Sequence, residues 1–171
     1  MPPIYWYDLA KGLGTITETA TGWSESGGTR IATQALTQIV GDEALRDAVD
    51  YYVSRQPGSE MAKSILQLLK PVSAMDRCHE IFLASEDDDD VSFAINLLQY
   101  VADARVLDRV PFYLASDNDG AQYWGIGIID QLVSFGGVGL EEVIPVLRLA
   151  LEHPNEKVRE RAQRIIDNAR D

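Results

Sequence analysis

Five consecutive carboxylates, Glu86, Asp87, Asp88, Asp89 and Asp90, stand between two apolar segments. Carboxylates at this density can ligate a hard cation, cap a helix, or attract a basic protein. A second acidic turn, Asp117-Asn118-Asp119-Gly120, begins like a calcium loop. An EF-hand loop starting at Asp117 needs glycine at its sixth position and glutamate at its twelfth, where this chain has Gln122 and Ile128. Transition-metal ligands are few: His79, His153 and Cys78. Cys78 and His79 are adjacent, so on a helix their side chains diverge by about 100°. No C-x-x-C or H-x-x-x-H spacing is present, and the glycine pair of Lys11 to Thr15 lacks the third glycine of a dinucleotide loop. The expectation is a chain without metal or cofactor. No nucleophile, base and orienting group share a pattern, which predicts a non-enzymatic protein.

The stretch Tyr123-Trp124-Gly125-Ile126-Gly127 sets two glycines inside an apolar helix, each costing about 1 kcal/mol against alanine. Close helix packing explains them. A groove floor with Tyr123 or Trp124 as an interface anchor is the alternative. His79 is expected to pack near Met75 and Phe82. Near the C-terminus Lys157, Arg159, Arg161, Arg164 and Arg170 alternate with Glu156, Glu160 and Asp167, which predicts a solvated face with a Glu160–Arg164 pair.

Net charge is −12, and it is uneven. Residues 86–130 carry ten acids and two bases, net −8, so two thirds of the imbalance sits in the middle quarter of the chain. Nucleic-acid binders neutralise phosphates with surplus Lys and Arg, so a nucleic-acid partner is not expected. Neither a signal-peptide pattern nor an apolar run of about 18 residues is present, so no membrane partner is expected. One cysteine fits a reducing compartment, which predicts a cytoplasmic protein.

These residues need elements to hold them. From about residue 29 apolar positions recur at three and four: Ile31, Ala35, Leu36, Ile39; then Ala62, Ile65, Leu66, Leu69; then Ala94, Leu97, Leu98, Val101; then Ala162, Ile165, Ile166, Ala169. Turn residues separate the stripes. The stripes themselves repeat. Phe82 to Ser85 and Tyr113 to Ser116 are near-copies 31 residues apart, and Ala162 follows Gly125 by 37. That offset puts Glu86 on Asp117 and Asp88 on Asp119, in neighbouring turns on one rim. A two-helix unit recurring every 30–40 residues or so predicts an all-α fold, an α-solenoid. Helix pairs are expected at 4–12 with 29–40, 42–55 with 58–69, 72–84 with 91–102, 105–115 with 121–134, and 139–152 with 156–169. All belong to a single domain, 1–171. Residues 1–28 are an irregular cap in which Tyr5, Trp6 and Tyr7 cover the exposed end, and the alternation Ile16, Glu18, Ala20 can form an extended piece.

The segment Arg30 to Val49, RIATQALTQIVGDEALRDAV, resembles a HEAT repeat of the kind found in phycobilisome lyases. Val91 to Leu114 looks like the same unit, and His153 to Ile166 resembles the turn within such a repeat. The likeness covers about 28–171. It implies about five antiparallel helix pairs whose second helices line a concave side. Gln34, Gln38, Lys63, Gln67, Asn96, Gln99, Tyr123, Asp130, Gln131 and Arg161 are expected to face it. It also implies a protein-binding scaffold, because most HEAT proteins are scaffolds. With the acidic charge this predicts a module for a basic protein partner, such as an inhibitor or immunity-type protein that blocks a toxin. Glu86, Asp87, Asp88, Asp89, Asp90, Asp117, Asp119, Tyr123, Trp124 and Asp130 are the candidate contacts. A bilin-lyase-like enzyme or cofactor chaperone with a pocket around Trp124, or a scaffold subunit of a larger assembly, are the alternatives.

Overall fold

Each apolar stripe becomes one helix, and the polar turns between stripes stop it. The computed structural model describes residues 3–169, so Arg170 lies outside the described residues. Among these are ten α-helices and one two-stranded sheet. Helix α1 spans Trp6–Gly12, and strands β1 (Ile16–Thr19) and β2 (Gly22–Glu25) follow. Then come α2 (Thr29–Val40), α3 (Asp42–Val53), α4 (Ser59–Leu69), α5 (Val72–Ala84) and α6 (Asp88–Val101). A 3-10 helix, Ala104–Arg109, leads into α7 (Val110–Leu114). The last three are α8 (Asp119–Ser134), α9 (Leu140–Leu151) and α10 (Glu156–Asn168).

Packing joins alternate helices. α2 contacts α4, α4 contacts α6, α6 contacts α8, and α8 contacts α10; on the other side α3 contacts α5 and α7 contacts α9. The core is built from Leu45 onward, with Val49, Leu66, Ile95, Leu98, Ile129 and Leu147 fully enclosed. Gly41 joins α2 to α3 in one residue, and its φ of 84° is open to glycine with little cost. Gly125 serves a different need. A methyl group there would come within 2.9 Å of Tyr113 Cβ, so glycine lets α7 lie tightly on α8.

The structure differs from expectation in four places. Asp88, Asp89 and Asp90 form the first turn of α6 instead of a connecting loop. Acidic side chains at a helix N-terminus favour the macrodipole, and Asp87 caps the helix, so helix starts three residues early. The helix expected over 105–115 is split into the 3-10 helix and α7. Pro111 cannot donate the N–H that a continuous α-helix needs from it, so the chain restarts with proline in its first turn. The extended piece near Ile16 is a full hairpin, with Ile16 opposite Glu25 and Thr19 opposite Gly22. Tyr5, Trp6 and Tyr7, expected to bury against the end of the stack, are 69%, 66% and 54% exposed, and α1 buries no residue.

Candidate functional site

The acidic turns lie side by side, held by their helix caps. Asp87 caps α6, its carboxylate accepting from the backbone N–H of Asp89 (2.9 Å) and Asp90 (3.1 Å). Asn118 caps α8, accepting from Ala121 N–H at 2.8 Å. Its Nδ2 donates backward to the Asp88 carbonyl (2.8 Å) and carboxylate (3.1 Å). Asn155 caps α10 through Lys157 N–H at 3.1 Å. Its Nδ2 donates to Gln122 Oε1 (2.9 Å) and Asp119 Oδ1 (3.4 Å). The starts of three alternate helices, α6, α8 and α10, are thus stitched by amides that cap one helix and reach the one before it in that row. The caps fall 31 and 37 residues apart, the offsets seen in the sequence. Sequence reasoning placed the aspartates on one rim but missed Asn118 and Asn155, which hold it together. We expect Asp87→Ala to cost about 1 kcal/mol in urea unfolding.

The carboxylates along this edge differ in what they already contact. Arg55 pairs with Asp89 and Asp90, each at 3.1 Å, while its guanidinium lies 5.2 Å from the Phe93 ring centre. Exposed pairs of this kind contribute about 0–1 kcal/mol. Glu86 and Asp117 are exposed and make no ion pair among the described residues. Among the described residues Asp88 and Asp119 are exposed and accept side-chain hydrogen bonds from neutral amides only. The edge therefore keeps most of its negative charge.

Asp130 does not belong to that edge. It was expected as a partner contact; instead its carboxylate holds Arg161, whose Nε and Nη2 donate to Oδ2 at 3.2 and 3.1 Å. Arg161, expected on an open surface, is only 7% exposed. Its Nη2 also donates to Gln99 Oε1 (3.2 Å), its Nη1 to the Tyr123 carbonyl (3.3 Å), and the Tyr123 ring covers it with 4.9 Å from Cζ to the ring centre. Gly127 makes the room. A Cβ there would stand 2.2 Å from Gln99 Oε1 and 2.6 Å from Arg161 Nη1. The expected Glu160–Arg164 pair does not form among the described residues.

Tyr123 and Trp124 are half-buried and edge-to-face, ring centres 4.8 Å apart. They form one wall of an open groove of about 800 Å³ between α8 and α10, with Asp119, Lys157, Glu160 and Arg164 around its mouth. Other residues expected on a concave face are engaged internally. Asn96 accepts from Tyr52 O–H at 2.7 Å, and the Lys63 ammonium sits 5.8 Å from the Tyr52 ring and 5.3 Å from the Tyr100 ring. Burial pushes the Tyr52 hydroxyl up to about 12, so it stays a donor. Gln34, Gln38 and Gln67 are exposed.

His79 stacks on Phe82 at 6.1 Å, as expected, and its Nδ1 lies 3.0 Å from Tyr113 O–H, a partner that sequence spacing did not reveal. Cys78 points the other way into the core, where burial raises its thiol well above the usual range. Among the described residues no three or more His, Cys, Asp or Glu side chains gather to hold a metal ion. Burial first, and then the charge of Arg109, lowers the His79 pKa; Asp76 and Glu80 oppose this. The folded state thus binds this proton less readily than the unfolded chain, so stability falls as pH drops below about 6.5. Thermal melts should show wild type losing stability from pH 7 to about 5.5, with His79→Gln losing less.

No helix among the described residues is long and apolar enough to cross a membrane. Comparison with family models, with curated proteins and with solved structures finds no match for this chain.

Proposed function

We propose that the chain is a non-enzymatic binding module, a HEAT-like α-solenoid of five antiparallel helix pairs whose acidic edge docks a basic protein. The observation that carries this is the stitched row of helix starts. It joins the acidic helix starts of Asp88 and Asp119, and among the described residues Glu86, Asp88, Asp117 and Asp119 make no ion pair, while Arg55 pairs with Asp89 and Asp90. Two exposed carboxylates about 4 Å apart repel by about 1 kcal/mol in water. A cationic partner surface relieves that repulsion and speeds its own encounter. An inhibitor or immunity-type protein that neutralises a basic toxin fits this chemistry. The order in which α2, α4, α6, α8 and α10 touch supports the solenoid reading.

The test is affinity capture from the cytoplasm with wild type and with a Glu86→Gln, Asp88→Asn, Asp117→Asn, Asp119→Asn variant as baits. Basic proteins held by wild type and lost by the variant support the reading. Equal retention by both refutes the edge as the docking surface.

A second reading has its own observation, the groove against Tyr123 and Trp124. A bilin-lyase-like enzyme or tetrapyrrole chaperone needs an aromatic wall with polar groups at its mouth. Titrating biliverdin into the protein tests it: a shifted absorption band that Trp124→Ala abolishes supports the chaperone, and an unchanged spectrum removes it.

A further inference from the structure

Residues 3–44 contribute nothing to the apolar core. Every buried apolar side chain among the described residues lies at Leu45 or later, and before it only Thr15 is buried. Yet this segment is regular, with two helices and a hairpin. An isolated hairpin is marginal in water, and short helices depend on burying an apolar face. Six of the sixteen exposed large apolar side chains among the described residues lie in this quarter of the chain: Tyr5, Trp6, Tyr7, Trp23, Leu36 and Val40. Along α2, Ala32, Leu36 and Val40 form an exposed i, i+4, i+8 ridge. Trp6 flanks α2 on one side across a cleft of about 220 Å³, and Leu68 flanks it on the other. The ridge with Trp6 exposes on the order of a few hundred Å² of apolar surface, comparable with the largest patch of a typical monomer.

We propose that a second copy of this chain covers this face, with α2 packed antiparallel on α2 about a two-fold axis at Leu36. The ridge is self-complementary in that arrangement. Leu36 meets its own copy on the axis, and small Ala32 faces the larger Val40 of the other chain. Ridges along i±4 of both helices can interdigitate. Charge agrees. The same axis brings Arg30 toward Asp42 and Glu43 of the other chain, which open α3 just past the end of its α2. All three side chains are exposed, and none makes an ion pair among the described residues. Residues 1–44 carry two bases and five acids, net −3, against −9 for the remainder. Two chains of −12 can meet here with less repulsion than along the acidic edge, which stays free. Closed two-fold dimers are also the commonest assembly.

Sedimentation velocity on the full chain across a concentration series tests this. A monomer–dimer equilibrium is expected, with Leu36→Glu weakening it by about 100-fold while far-UV circular dichroism stays helical. Arg30→Glu weakens the dimer, and adding Asp42→Lys and Glu43→Lys restores it. Under mild oxidation Leu36→Cys chains cross-link, whereas chains carrying Leu83→Cys, at a site 67% exposed on α5, do not. Fully buried Cys78 does not interfere. A monomer at every concentration overturns the proposal, and so does a dimer that ignores Leu36→Glu or whose Leu36→Cys form fails to cross-link. In either case another protein, or another segment of a longer chain, covers the face.

Discussion

Arg161→Ala is expected to destabilise the protein by about 3 kcal/mol, near the low end for breaking a buried ion pair, because Asp130 keeps some solvent contact. The loss has a specific origin. Arg161 comes from α10, Asp130 and the Tyr123 carbonyl from α8, and Gln99 from α6. Without the guanidinium, the enclosed Gln99 oxygen loses its donor and Asp130 is left with only its partial solvent contact. At this chain length the midpoint of thermal unfolding should fall by roughly 6–12 °C. The pair Arg161→Met with Asp130→Leu should recover most of it, since a packed apolar pair can replace a buried ion pair. A single-variant loss below about 0.5 kcal/mol would show that the cluster is not a structural pin.

Gly127→Ala is the second large effect, and its sign should depend on Arg161. In wild type the new methyl collides with Gln99 Oε1 and the guanidinium, both held by hydrogen bonds. Overpacking of this kind costs about 1–3 kcal/mol, more than the ~1 kcal/mol that alanine gains over glycine in a helix. In the Arg161→Ala background much of the obstruction is gone, so Gly127→Ala should become neutral or stabilising. A double-mutant cycle from urea unfolding measures the coupling, expected at about 1–3 kcal/mol. Strict additivity would mean that Gly127 is not there to admit Arg161.

Much of the helical order was legible in the sequence, because apolar side chains at three and four must face a core wherever a helix forms. The 31- and 37-residue offsets were legible too, and the caps Asp87, Asn118 and Asn155 keep them. What escaped notice has physical reasons. Arg161 sits among Lys157, Arg159 and Arg164 and looks like one more solvated cation. Only the combination of Gly127 in an apolar helix with Gln99 and Asp130 on facing stripes signals a buried charge. Pro111 marked the break before α7, but a periodic pattern reads through a single proline. At the N-terminus the stripe of Ile31, Ala35, Leu36 and Ile39 reads as a core face, yet Leu36 is exposed together with Ala32 and Val40, and periodicity does not tell whether the surface that covers a stripe belongs to the same molecule.

If the acidic edge docks a basic protein as proposed, salt should govern how fast the two associate, measured with a basic protein recovered by the capture. Stopped-flow mixing from about 0.05 to 0.5 M salt, where the screening length shortens severalfold, should slow association by tenfold or more. The variant lacking the Glu86, Asp88, Asp117 and Asp119 charges should start slow and respond little. An association rate that is independent of salt, or equally steep in the variant, contradicts the acidic edge as the docking surface.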